Sequence, residues 1–182
     1  MNIRKRKRFR VLVALLLVTQ TGCSGVPDGV EVVSGFELDR YLGKWYEIAR
    51  LDHRFERGLS EVTATYSLRD DGGVKVVNRG FDRSANEYSE ATGKAYFVGD
   101  TNRGQLKVSF FGPFYGGYNI IELDKVAYQY SLVAGPDRSY LWILSRTPEM
   151  DPEILHSLVK KANDLGFATQ DLILVEHAQR SP

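Results

Sequence analysis

Residues 61–69 alternate without a break. Val62, Ala64, Tyr66 and Leu68 fall on one side, and Thr63, Thr65, Ser67 and Arg69 on the other. A period of two with one apolar face marks a strand. Asp70-Asp71-Gly72-Gly73 then reads as a tight turn, because glycine takes positive φ without strain. The next strand, 74–81, opens with Val74, Lys75 and Val76. Similar segments read at 88–98, 105–111, 117–124, 127–134 and 139–146, with 44–53 ahead of them, which makes eight. Short links between successive strands favour an up-and-down antiparallel order. Eight such strands can close into a barrel, which removes exposed edges.

One helix is expected, and it comes late. Asp151 suits an N-cap, Pro152 the first helical position, and Glu153 the positive end of the helix. Ile154, Leu155, Leu158, Val159, Ala162 and Leu165 form one apolar stripe, and Gly166 is a natural stop. A helix with one apolar face packs against the outside of a barrel. A last short strand, 172–175, is expected beside the first. The fold class is therefore all-β: an eight-stranded antiparallel up-and-down barrel, one C-terminal helix packed outside, and a short final strand.

The charge balance is uneven along the chain. Of 24 Lys and Arg residues, six crowd into 1–22 (Arg4, Lys5, Arg6, Lys7, Arg8 and Arg10), with no acidic residue among them. The rest carries 18 basic against 23 acidic residues, a formal −5. Nonspecific nucleic-acid binding needs clustered positive charge, so no nucleic-acid partner is expected. The single cysteine, Cys23, excludes an internal disulfide and a cysteine-based zinc site. No metal or cofactor is expected.

The front of the chain reads as an address. A basic stretch, the apolar run Val11–Val18 and the small or polar residues Thr19–Gly22 have the layout of a secretory signal. The run is too short for a comfortable transmembrane helix, which needs about 20 apolar residues. The stretch Val18–Cys23 resembles a bacterial lipoprotein signal, with Gly22 in the usual small-residue place and Gln20 where family signals prefer an aliphatic residue. The resemblance implies cleavage after residue 22 and lipidation of Cys23. Ser24, where inner-membrane lipoproteins carry Asp, implies the outer membrane, on its periplasmic face. Residues 23–35 then read as the lipidated N-terminus and a tether, 36–178 as the barrel domain and 179–182 as a tail.

Alternation assigns an inward face to each strand. It takes in Val62, Ala64, Tyr66, Leu68, Val74, Val76, Ala91, Gly93, Ala95, Phe97, Leu106, Val108 and Phe110. The later strands add Tyr128, Tyr130, Leu132, Ala134, Tyr140, Trp142 and Leu144, while Ile120 and Ile121 compete. An eight-stranded barrel is just wide enough to be filled by its own side chains or to hold one small ligand. Ala64, Ala91, Gly93, Ala95 and Ala134 leave space that large partners can also fill, so hollow and filled barrels both stay open at this point.

Gly43-Lys44-Trp45-Tyr46 at the start of the first strand resembles the first signature of the lipocalins. Leu141–Pro148, with Arg146, resembles the third. Leu123-Asp124-Lys125 with Tyr128 is similar to the second, keeping Asp124 and a nearby tyrosine. The blocks 52–59, 107–119 and 135–148 resemble the bacterial, outer-membrane lipoprotein branch. The likeness covers residues 36–178. It implies that Gly43, Trp45, Asp124 and Arg146 are structural, with Arg146 stacked on Trp45 at the closed end. It also implies a fatty acid, phospholipid or lysophospholipid as ligand, held for storage or transport in membrane biogenesis or repair.

With Trp45 at the closed end, loops 52–60 and 112–117 belong to the open mouth. The candidate ligand contacts are Val62, Ala64, Tyr66, Val76, Asn78, Ala91, Gly93, Ala95, Phe110, Tyr115, Tyr118, Tyr130, Leu132, Tyr140 and Trp142. Arg54, Arg57 and His53 are headgroup candidates, although the arginines can equally be surface charges paired with Asp52 and Glu56. An enzyme acting on lipids would have His53 as its base, but no G-x-S-x-G elbow is present. A filled barrel would make the protein a structural envelope lipoprotein. The oligomeric state, a homodimer included, is not legible.

Overall fold

The computed structural model describes residues 25–178. The signal segment 1–22, the lipidation residue Cys23 and the tail 179–182 lie outside the described residues. Eight strands form the barrel: β1 Gly43–Arg50, β2 Leu59–Leu68, β3 Val74–Asp82, β4 Glu87–Phe97, β5 Gln105–Ser109, β6 Gly116–Leu123, β7 Tyr130–Ala134 and β8 Leu141–Ser145. Each pairs antiparallel with the next, and β1 closes the circle by pairing with both β8 and β2. The first half of β1 (Gly43–Tyr46) runs beside β2, and the second half (Tyr46–Arg50) beside β8. Where β2 diverges, β9 (Ile173–Leu174) takes its place against Ala49 and Arg50. The last strand therefore lies beside the first, as expected.

Two α-helices and a 3-10 turn (Thr169–Asp171) complete the fold among the described residues. α1 (Leu38–Tyr41), too short for a periodicity signal, crosses the closed end. α2 (Pro152–Asp164) starts on Asp151, whose carboxylate accepts hydrogen bonds from the amides of Glu153 and Ile154. It stops at Gly166, which adopts φ +83°. Its apolar stripe buries Leu158 and Ala162 against the outer faces of Leu132, Ala134, Leu141 and Ile143. The wall is thus sandwiched between two apolar clusters, one inside the barrel and one under α2.

That sandwich overturns the inward assignment of β7. Cross-strand partners share a face of the sheet, and Trp142, inside the barrel, faces Val133. Leu132 pairs with Ile143 and Ala134 with Leu141, all under the helix. Tyr130, Leu132 and Ala134 therefore point outward. With both faces of β7 buried, alternation carries no sign of which is inside. In β6 a register shift between Ile120 and Glu122 sends Ile120 to the inner cluster and Ile121 to the outer one, so both are buried. Leu68 is exposed near the closed end. Tyr128 sits in a turn at φ +56° rather than on a strand.

Residues 25–35 are not a free tether. Their course begins at the mouth, where the Asn119 side-chain amide donates to the Gly25 carbonyl at 2.9 Å and Arg138 donates to the Asp28 carbonyl at 2.6 Å. It ends at the closed end, where Val33 donates to Ile120 O at 2.9 Å and accepts from the Gly104 amide at 2.9 Å. Ser34 bridges to Arg103. Val30 and Val32 are buried along the way. The composition of this stretch reads as a linker, but its valines pack it to the wall.

Candidate functional site

The closed end is built first, because it sets how deep the interior reaches. Trp45 is fully buried, and its indole nitrogen donates to Tyr41 O at 2.8 Å. The Arg146 guanidinium lies over its ring, with Cζ 3.9 Å from the centroid. The same group donates to the carbonyls of Lys44 (2.9 Å), Arg40 (2.7 Å) and Tyr128 (3.2 Å). Gly43, at φ +93°, leaves Arg146 room: a Cβ there would stand 3.5 Å from its Nη1. Asp124 holds the neighbouring turn by accepting from the amides of Val126, Ala127 and Gln129. All four signature residues thus serve the closed end.

Above this floor the barrel is hollow, which decides between the two readings left open by the sequence. A cavity of about 700 Å³ opens between the mouth loops and reaches down to Phe36, Leu38 and Tyr41. That volume falls within the range of small-molecule sites. Of the candidate ligand contacts, Val62, Ala64, Tyr66, Val76, Asn78, Ala91, Ala95, Phe110, Tyr115, Tyr118, Tyr140 and Trp142 line it. Tyr130 and Leu132 do not, because they face α2. Gly93 does not either: a Cβ there would meet the Phe110 ring at 2.9 Å and Ser109 O at 2.8 Å. That glycine admits Phe110 against the wall and leaves no open space.

The floor carries a hydroxyl chain. Tyr118 bonds Tyr41 and Tyr66, each at 2.8 Å, and Tyr41 also reaches Ser131 at 3.4 Å. Burial pushes the Tyr41 phenol up to about 12 and raises Tyr66 and Tyr118 well above the usual tyrosine range. All three are neutral hydrogen-bonding groups at any physiological pH.

The upper wall carries a buried ionisable cluster. The Arg50 guanidinium donates to Glu47 at 2.7 Å and to the carbonyls of Glu56 (2.8 Å) and Leu59 (3.1 Å). Trp142 Nε1 donates to Glu56 at 3.1 Å. Burial, and then the charge of Glu56, raise the Glu47 carboxyl well above its usual range against the pull of Arg50; burial also raises Glu56. Glu47 and Glu56 thus share one guanidinium, Arg50, whose charge works against the burial of both.

The headgroup candidates separate. His53 is buried, stacked on Phe55 with ring centroids 4.1 Å apart and packed beside Trp142 at 5.1 Å. Its Nε2 stands 3.1 Å from Glu56 without hydrogen-bond alignment. Burial, and then Arg50, lower its pKa to about 4, so it is neutral and turned away from the cavity. Arg57 is tied to Asp52 by contacts of 2.6–3.2 Å, the surface pairing weighed for it. Arg54 and Arg57 are both exposed, and of the three candidates Arg54 lines the mouth.

Sequence reasoning missed several lining groups. Phe36, Leu38 and Tyr41 come from α1 and its approach, where four helical residues give no pattern. Glu56 comes from a loop, where alternation has no meaning. Glu47 is not among those missed: two residues after Trp45 on β1, it is one of the few carboxylates the sequence allows to point inward, and it lines the cavity. Among the described residues no cluster of His, Cys, Asp or Glu is arranged to hold a metal.

A barrel plugged at one pole, open at the other and lined mostly by hydrocarbon is a container for a small apolar molecule. The chain belongs to the lipocalin family: the family model described as a lipocalin-like domain matches residues 36–177. It is 53% identical to the outer membrane lipoprotein Blc of Vibrio cholerae over 171 residues, 94% of this chain and 98% of that one. It is 54% identical to the protein of the same name from Escherichia coli K12, over 90% and 92% of the two chains. Temperature-induced lipocalin-1 of Arabidopsis thaliana is 37% identical, over 76% and 77%. Among solved structures, insecticyanin from the tobacco hornworm superposes with a TM-score of 0.68 over 85% of this chain and 88% of that one. At 21% identity it shows the fold alone.

Proposed function

We propose that the protein is a lipid carrier of the outer membrane, anchored through acyl chains on Cys23, which holds a fatty acid, phospholipid or lysophospholipid in the barrel. It is a binding protein of the lipocalin type and not an enzyme. The observation that carries the reading is the 700 Å³ cavity, apolar along its shaft and open at one end. A chain of ~14 methylenes at ~0.8 kcal/mol each gains roughly 11 kcal/mol gross on leaving water. Ordering and immobilisation remove several of those, which leaves micromolar affinity or better. The close relatives named as outer membrane lipoproteins support the location, and the role in this reading is storage or transport of lipid for membrane biogenesis or repair.

The test uses the two tryptophans. Trp142 lines the cavity, whereas Trp45 lies below its floor. A fatty acid brominated along its chain, titrated into lipid-stripped protein, quenches Trp142 saturably at micromolar concentration or below. Trp142→Phe loses most of that signal. Absence of saturable quenching, together with absence of heat on titrating lysophospholipid, overturns the reading.

A further inference from the structure

The hydroxyl chain on the cavity floor has a direction. A backbone carbonyl only accepts, so the Ser131 hydroxyl donates to Glu122 O at 3.3 Å. With its one proton spent, Ser131 accepts from Tyr41 at 3.4 Å. Tyr41 then accepts from Tyr118, and Tyr118 from Tyr66, each at 2.8 Å. Every proton is handed on toward the Glu122 carbonyl. Tyr66 stands at the head of the chain: it donates to Tyr118, and its own oxygen accepts from no donor among the described residues. Tyr66 is buried, at 7% exposure, and lines the cavity beside Tyr118 and Tyr41. A buried acceptor without a donor is costly, and a donor on a ligand relieves that cost. Charge narrows the choice. Burial above all, and then Tyr41, Glu56 and Glu47, raise the Tyr66 phenol, so this spot resists negative charge. An ionised carboxylate or phosphate brings charge and no proton. A neutral O–H brings what the head of the chain can use.

We propose that the floor is a hydrogen-bond acceptor subsite, with Tyr66 Oη as the accepting atom, which takes a neutral hydroxyl at the buried end of the ligand's chain. The matching ligand class is a long-chain lipid hydroxylated at its terminal carbon, its ionised head held away from the floor. A terminal hydroxyl drawn out of water into an apolar shaft is bound more weakly than a methyl unless a partner waits for it. Tyr66 supplies that partner, and its place at the head of the chain lets it accept without giving up the bond to Tyr118. The inference deepens the lipid-carrier reading and rests on it. The polarity of the floor rests on the hydroxyl chain alone.

The experiment titrates lipid-stripped protein by calorimetry with lauric, myristic and palmitic acids and with their ω-hydroxy and ω-oxo derivatives. The ω-oxo end has the size of the hydroxyl and accepts, but carries no proton. At the best-fitting length the ω-hydroxy acid is expected to bind at least as tightly as the plain acid, and about tenfold more tightly than the ω-oxo acid. An ω-hydroxy acid weaker than the plain acid at every length overturns the proposal. So does an ω-oxo acid as tight as the ω-hydroxy acid, because the floor would then be donating. A second arm uses Tyr66→Phe combined with Tyr118→Phe, since Tyr66→Phe alone passes the unused lone pairs to Tyr118. The readout is the ratio of ω-hydroxy to plain-acid affinity within one protein, so a general loss of binding cancels. That ratio is expected to fall about tenfold in the double variant, and an unchanged ratio overturns the proposal. Should the variant fail to fold, the wild-type series decides alone. If no acid of any series binds the wild type, the carrier reading fails and this inference falls with it. If the plain acids bind and the hydroxyl gains nothing, the acceptor subsite alone is lost.

Discussion

Arg146 lies flat over Trp45 and, with the same guanidinium, donates to the carbonyls of Lys44, Arg40 and Tyr128. One side chain thereby ties the start of β1, helix α1 and the β6–β7 turn into a single plug. A compact ammonium cannot replace a planar fork with three donors in use. Arg146→Lys is expected to cost about 2 kcal/mol in urea denaturation and Arg146→Ala about 3 kcal/mol, within the range for losing several hydrogen bonds to a charged group. Neither residue lines the cavity, so fatty-acid affinity measured under folding conditions stays unchanged.

The space beside Ala95 is part of the container. Ala95→Phe fills it, and the expected result is at least a tenfold loss of fatty-acid affinity by Trp142 quenching. Stability changes by less than about 1.5 kcal/mol, because the added ring enters a void and not a packed core. A large loss of stability with affinity retained would mean that the void is smaller than it looks.

Tyr118 is the centre of the floor's hydroxyl chain. Removing its oxygen in Tyr118→Phe leaves the Tyr41 and Tyr66 hydroxyls short of a partner in a buried setting, at a cost of about 1–2 kcal/mol. Adding Tyr66→Phe removes one orphan, so the double variant is expected to be less destabilised than the sum of the single ones, as a double-mutant cycle reads directly.

Acid sensitivity follows from His53. Its folded-state pKa, about 4, lies below the ordinary 6.5. The unfolded chain therefore binds the proton first, and the stability held above pH 6.5 is lost as pH falls toward 4. The full shift corresponds to roughly 3 kcal/mol. His53→Phe, which keeps a ring against Phe55 and Trp142, is expected to flatten the stability profile over that window.

Glu47 acts with the opposite sign. Its pKa is raised in the fold, so the folded state holds a proton that the unfolded chain gives up near 4.5. Stability from this group is greatest at low pH and declines as pH rises from there through the raised value. Glu47→Gln keeps an acceptor for Arg50 and removes the titration. Thermal unfolding of the variant should fall less than that of the wild type between neutral and alkaline pH.

What could be read from the chain followed burial on one face. β2, β3 and β4 have one wet side, so Val62, Ala64, Tyr66 and Val76 announced their direction. β7 did not, since α2 covers its back and Tyr130, Leu132 and Ala134 are as apolar as the side chains inside. The turn signals, the Asp151 cap and the Gly166 stop are local and were legible. Glu56 and His53 are held by contacts from β8, which no local pattern reveals. The valines of 25–35 were visible in the sequence, but not the groove they fill.

The wall-hugging course of residues 25–36 has a mechanical consequence. A pull on residue 25 outward past the mouth runs along that segment, roughly parallel to the strands beneath it. The bonds at Gly25, Asp28 and Val33 then share the load in shear instead of breaking one after another, so a tug from the mooring reaches the barrel as a whole before it can strip the leading segment away.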